Sequence, residues 1–221
     1  MRDVLDSAVV EALQHAVGQT LPARDSDWAR ITELHVTHAR TLFGVERCRR
    51  LTMLILSGCG PIDLGPLSGL TELECLVVRD SGLNSLDGIG DPPLIQLDLS
   101  RNLITDLAPL LRMTRLQNVN TDGNPLSAES YEEIVPALRA RGIRVTCSAP
   151  RDWQLTLRMR EAGLPYCCYR KAGRLRLNSP GLAHTDLPEF GHPVLHEDEL
   201  EDLLTSDPAR IHDLFARRAQ M

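Results

Sequence analysis

The sequence predicts an α/β fold: a curved parallel sheet built as a solenoid, capped by a helix at its N-terminal end and followed by a small α+β appendage. Three observations predict it. Between Leu51 and Leu126 one spacing of apolar residues returns four times at nearly constant intervals. Residues 3–18 instead repeat apolar side chains every four residues, the period of a helix face. After about residue 147 the leucine spacing is lost.

The four copies begin at Leu51, Leu73, Leu94 and Leu116, which lie 22, 21 and 22 residues apart. They read LTMLILSGC, LECLVVRDS, LIQLDLSRN and LQNVNTDGN, and a weaker copy, ITELHVTHA, starts 20 residues earlier at Ile31. Each follows L-x-x-L-x-L-x-x-N/C, the signature of a leucine-rich repeat, so five repeats are expected. Positions one, four and six point inward and stack from copy to copy, as in Leu51, Leu54 and Leu56 on Leu73, Leu76 and Val78. Parallel strands about 4.8 Å apart suit that stacking. Each buried aliphatic side chain contributes roughly 1.5–3 kcal/mol, but only when a neighbouring repeat covers it, so the array is expected to fold as a unit.

Taken in order, the chain begins with an amphipathic helix over residues 3–18, carrying Val4/Leu5, Ala8/Val9, Ala12/Leu13 and Ala16/Val17 and stopped by Gly18. Its expected role is to cover the open end of the first repeat. A short turn or helix at 25–29 leads into Ile31. The ninth positions, Cys59, Ser81, Asn102 and Asn124, offer side chains to backbone groups in the turn. The proline-marked returns after them, with Pro66-Leu67 and Pro109-Leu110, predict tight or 3₁₀ turns on the convex side. Ser130-x-x-Glu133 resembles a capping box for a closing helix that ends at Gly142 and is shortened or kinked by Pro136. Residues 143–147 read as a last strand.

The organisation expected is therefore a helical cap (1–30), repeats with their C-terminal cap (31–147) and an α+β extension (148–221). The extension reads as a helix at 152–162, strands at 164–169 and 174–177 around a Lys171-Ala-Gly173 turn, and helices at 196–204 and 208–219. About 70 residues barely sustain a core of their own, so the extension is expected to dock on the last repeat.

Residues 4–147 resemble the internalin-type and cytosolic leucine-rich repeat proteins of bacteria. The resemblance rests on the N-terminal helix, the ITDLAPL segment (104–110) and the closing GNPLS helix region that ends in RGIRV (141–145). It implies a curved scaffold that binds other proteins, and it brings no catalytic residues. The chain departs from the pattern in its irregular first repeat, its weak early ninth positions and its lack of a secretion signal.

Charge and composition narrow the function classes. The net charge is −6, with 24 basic and 30 acidic residues and neither half basic, which argues against nucleic acid or an anionic membrane as partner. The N-terminus lacks a signal-peptide core, and no run of apolar residues is long enough to span a bilayer. A cytoplasmic protein with reduced thiols is expected. Only Lys171 among the basic residues is a lysine, the bias of a GC-rich and bacterial coding sequence.

Function is read from the side chains between the leucines, which form the concave face. They run Glu33, His35, Thr37; Met53, Ile55, Ser57; Cys75, Val77, Arg79; Gln96, Asp98, Ser100; and Asn118, Asn120, Asp122. Met53, Ile55, Cys75 and Val77 form an apolar block with Arg79 beside it. The fold gives no reason for apolar residues there, so a protein or peptide partner is expected on Met53, Ile55, Cys75, Val77, Arg79, Gln96, Asp98, Asn118 and Asn120. Two alternatives stay open: the C-terminal region folds back over the block, or strand propensity alone selected it.

No cofactor, metal or catalytic group is expected. The six cysteines contain no C-x-x-C pair. Cys167 and Cys168, adjacent on a strand, face opposite sides, one toward a core and the other outward. His184, His192 and His196 with Glu197 and Asp198 match no metal-ligand spacing, and the run 82–90 is a repeat turn rather than a phosphate loop. The alternative function is an accessory enzyme or maturation factor whose C-terminal extension acts on a substrate held by the repeats. A homodimer formed through the last strand or the 164–177 hairpin is a further possibility.

Overall fold

A computed structural model describes residues 5–18, 24–183, 185 and 187–216. Six parallel strands lie side by side in chain order: β1 (Glu33–Thr37), β2 (Met53–Ser57), β3 (Cys75–Arg79), β4 (Gln96–Asp98), β5 (Asn118–Asn120) and β6 (Arg144–Thr146). The register is one repeat per strand, so Leu34, Leu54, Leu76, Leu97, Val119 and Val145 form a row. All six are buried, as are Leu51, Leu73, Leu94 and Leu116 in the first position and Leu56, Val78 and Leu99 in the sixth. This is an α/β fold of leucine-rich repeat type.

The convex returns at Gly65–Leu67 and Ala108–Arg112 are the 3₁₀ turns that Pro66 and Pro109 predict, and Val45–Arg47 forms another without a proline. The ninth positions form a continuous ladder of hydrogen bonds. Asn102 Oδ1 accepts from the backbone N–H of Ser81 and Leu83, and its Nδ2 donates to the carbonyls of Val78 and Leu99 at 2.7 and 2.9 Å. Asn124 repeats the pattern with Ile104, Leu99 and Thr121. Ser81 accepts only from Cys59, and the Cys59 thiol makes long contacts of 3.7–3.8 Å, so the ladder is weaker at its N-terminal end.

Helix α1 (Ser7–Val17) begins later than the apolar spacing predicts, and the predicted contribution of Val4 lies outside the described residues. Its start is set by Asp6. One carboxylate oxygen caps the Ala8 N–H, and the other accepts from the Arg40 N–H at 2.8 Å, pinning the cap to the first repeat. Val9 and Leu13 are fully buried against the Trp28–Val36 end of the core. Gly18 closes α1 in the left-handed region, and α2 is one turn, Asp25–Trp28.

At the other end, the cap of the closing helix is Ser127 rather than Ser130. Ser127 Oγ accepts from the Ser130 N–H, whereas Ser130 Oγ turns inward to accept from the buried Leu107 N–H. The helix begins at 128–129 with the Tyr131 N–H donating to the Ser127 carbonyl, widens to a π turn at Ser130–Ile134 and continues as α3 (Val135–Ala140). The wide turn precedes Pro136, which has no N–H to donate, so of the shortening or kink expected from the sequence the helix shows a local distortion and continues to Ala140.

Beyond β6 come α4 (Pro150–Glu161), β7 (Cys167–Lys171), β8 (Arg174–Asn178), β9 (Val194–Leu195), α5 (Glu197–Ser206) and α6 (Ile211–Ala216). Strands β7, β8 and β9 form an antiparallel sheet. The hairpin turns on Ala172 and Gly173, both at positive φ, the conformation that a two-residue turn between twisted strands requires. The sequence-predicted end of the last helix, beyond 216, lies outside the described residues. Trp153 joins this region to the repeats: it stacks on Tyr131 with ring centroids 4.1 Å apart, and its Nε1 donates to the Leu126 carbonyl.

Candidate functional site

The eighth position of each repeat controls where the C-terminal region can go. His38, Gly58, Asp80, Arg101 and Gly123 all lie in the left-handed region, with φ between 51 and 70°. For the three non-glycine residues this costs about 1–2 kcal/mol each. Their N–H groups, together with that of Gly58, donate to the carbonyl one position earlier in the next repeat: His38 to Ser57, Gly58 to Arg79, Asp80 to Ser100 and Arg101 to Asp122. The result is a ridge along the C-terminal ends of the strands, with the eighth-position carbonyls directed outward.

The C-terminal region binds that ridge. Ala183 donates its N–H to the Gly58 carbonyl at 2.8 Å, Gly181 to Asp80 at 3.2 Å, and Asn178 Nδ2 to Arg101 at 3.1 Å. The expectation of docking on the last repeat is therefore too narrow, since the contact extends back to the repeat of β2. A buried polar group fastens it. Arg101 makes a bidentate pair with Asp80, its guanidinium lies 5.1 Å from the Tyr169 ring, and the Tyr169 hydroxyl meets His192 Nδ1 at 2.9 Å. Burial is the main cause that pushes the His192 imidazole down to about 4, with Arg101 and Arg176 adding to it against the opposing charges of Asp80 and Glu189. His192 is therefore neutral near pH 7, and its 3.8 Å approach to Asp80 is then not an ion pair.

This docking corrects the reading of Cys167 and Cys168. They do face opposite sides, but both are fully buried, because the ridge covers one face of β7 and α4 the other. Burial pushes the Cys167 thiol up to about 12 and raises Cys168 further, so neither is poised as a thiolate near neutral pH. The histidine cluster is also dispersed. His192 turns to Tyr169, Glu197 pairs with Arg151 and Arg170, His196 precedes α5, and His184 lies outside the described residues.

The concave face is treated differently. Met53, Ile55, Cys75 and Val77 are each half-buried on the strands, and no described residue beyond Thr146 lines either depression around them. The first depression, of about 310 Å³, brings together Cys75, Val77, Arg79, Gln96, Asp98, Asn118 and Asn120 of the sequence reading. The second, of about 220 Å³, holds Met53 and Ile55 against Ala12, His15 and Ala16 of α1. The register sets the geometry: Met53, Cys75, Gln96, Asn118 and Arg144 form one row, and Ile55, Val77, Asp98, Asn120 and Thr146 the next.

Within the first depression the charges are partly matched. Arg79 Nε donates to Asp98 Oδ2 at 2.9 Å, and the Ser100 N–H donates to Oδ1. Burial opposes ionisation of Asp98, but the hydrogen bonds from Arg79 and Ser100 and the Arg79 charge outweigh it and hold the carboxyl below its ordinary range. Burial, aided by the Asp98 charge, raises the Cys75 thiol. Arg144 and Thr146 are the residues that sequence reading missed. The signal was present: residues 143–147 alternate in the same phase as the earlier strands, which puts 144 and 146 on the concave face.

No family model matches the chain. It is 33% identical over 124 residues to the geranylgeranyl transferase type-2 subunit alpha of Bos taurus, a match covering 51% of this chain and 22% of that protein. The chain thus spans about a fifth of the length of that curated relative. Among solved structures, it is similar to an internalin C2 from Listeria monocytogenes (20% identity, 66% of this chain and 77% of that one, TM-score 0.48). It is also similar to an internalin, inlF, from the same organism (17% identity, 72% and 54%, TM-score 0.45).

Proposed function

We propose that the protein is a non-enzymatic interaction scaffold that holds a protein or peptide on the concave face of its repeats, at Met53, Ile55, Cys75, Val77, Arg79, Gln96, Asp98, Asn118 and Asn120. In this reading residues 1–30 cap the array, 31–147 carry the binding surface, and 148–221 buttress the ridge. The observation that supports it is the apolar block Met53–Ile55–Cys75–Val77, half-buried on the strands, which no described residue of the C-terminal region lines although that region docks close by on the same repeats. Apolar surface rimmed by hydrogen-bonding groups is the composition of an interface core and rim. No helix among the described residues is long and apolar enough to cross a membrane.

The test is co-purification from the native host with Ile55→Arg/Val77→Glu as the control. The double variant is expected to lose the partner while its circular dichroism is unchanged. Retained partner in that variant contradicts the proposal. The enzymatic alternative has little physical support, because the thiols and His192 of the C-terminal region are buried in structural contacts.

A further inference from the structure

The chemistry of the concave trough also constrains what lies in it. Arg79 and Asp98 neutralise each other at its centre. The Arg144 guanidinium, at the β6 end of the same depression, has no hydrogen bond or ion pair among the described residues. A charge left unmatched on a binding face favours a partner that brings the opposite charge. Between Arg144 and the apolar block lie Gln96, Asn118 and Asn120. Asn118 makes no side-chain hydrogen bond among the described residues, and Asn120 uses only its oxygen, on the Asp122 N–H. Each side-chain amide both donates and accepts, which matches an extended backbone whose N–H and C=O groups need partners. A helical ligand has its backbone already paired and gains little from such a row.

We infer that the ligand of this face is an extended peptide segment that crosses the strands, seats aliphatic or aromatic side chains on Ile55 and Val77, and places a carboxylate on Arg144. The inference rests on the scaffold reading and adds the chemistry of the partner. Its dimensions follow from the sheet. Arg144 is three strands from Val77 and four from Ile55. At about 4.8 Å per strand and about 3.3 Å per extended residue, the acid falls roughly four to six residues from the apolar anchors.

The test is selection of a phage-displayed library of random dodecapeptides on the full chain, with Arg144→Glu and Ile55→Arg/Val77→Glu in parallel. The wild-type chain is expected to enrich peptides with an apolar anchor and an Asp or Glu at that spacing. In fluorescence anisotropy, the best peptide should bind Arg144→Glu at least about ten-fold more weakly, as loss of a charge-assisted pair implies. It should bind Arg112→Glu, the same charge change on the convex side, like the wild type. Enriched peptides without an acid, or unaffected by Arg144→Glu, overturn the inference, and so does failure to enrich any peptide. If the Ile55→Arg/Val77→Glu variant still loses its co-purified partner in those cases, the scaffold reading stands and the partner is a folded surface. Self-association of the wild type that Arg144→Glu abolishes assigns the face to a second copy and overturns the peptide.

Discussion

The ridge of eighth-position residues and the concave face belong to the same sheet, yet they meet opposite fates. On the ridge, outward carbonyls at Gly58, Asp80 and Arg101 are satisfied by residues 178–183, and the buried Asp80, Tyr169 and His192 close around a half-buried Arg101. On the concave face the backbone is already satisfied by the sheet and the side chains are left open. The difference shows which surface the protein completes for itself. The ridge has backbone groups that need partners, so the chain supplies them, whereas the concave block has only side chains to offer and is lined by no described residue beyond Thr146.

The comparison can be broken or sharpened by substitution. The largest effect is expected from Asn102→Ala, which leaves the Ser81 and Leu83 N–H groups and the Val78 carbonyl without their buried partner. Urea unfolding should show a loss of about 3 kcal/mol or more, and a loss below about 1 kcal/mol would mean that the ladder does not hold the array.

Acid should loosen the ridge next. His192 is held well below its ordinary value of 6.5, at about 4, so between those values the unfolded chain binds more protons than the folded one. Stability contributed by the neutral imidazole is present above pH 6.5 and is lost as pH falls toward 4, by about 3 kcal/mol at most. His192→Gln should flatten that pH dependence, and an unchanged slope would place it elsewhere. A smaller loss, about 1–2 kcal/mol, is expected for Gly58→Ala. Its φ is 59° and the new Cβ would lie 2.7 Å from that of Ala183. Hydrogen exchange should quicken at 181–183 before it quickens in β2. A loss of about 1 kcal/mol per half-buried site, with the fold retained, is expected for Ile55→Arg/Val77→Glu, although it removes binding.

The repeats were legible because their energy resides in side chains with a fixed spacing. Leu54, Leu76 and Leu97 must recur to stack, and Asn102 and Asn124 must recur to satisfy the turn. The ridge was legible only in part: Gly58 and Gly123, and to a lesser degree His38 and Asp80, are residue types that tolerate positive φ, whereas Arg101 adopts it without such a preference. The path of 178–183 was also hidden, because two of its three contacts with the ridge are backbone hydrogen bonds that need no particular residue. Of the candidate site, the apolar block and the amides followed from alternation along each strand. Arg144 was missed because residues 143–147 lack the leucine anchor that sets the phase of the others.

Hydroxyl-radical footprinting of the chain, alone and with its co-purified partner, tests the central claim most directly. Among the described residues, apolar side chains that a partner could cover lie on the concave block and, apart from it, at Leu187 and Phe190, the latter 72% exposed. Protection of Met53, Ile55 and Val77, with labelling of Leu187 and Phe190 unchanged, is the predicted result. Protection of Leu187 and Phe190 with Met53, Ile55 and Val77 still labelled would contradict it.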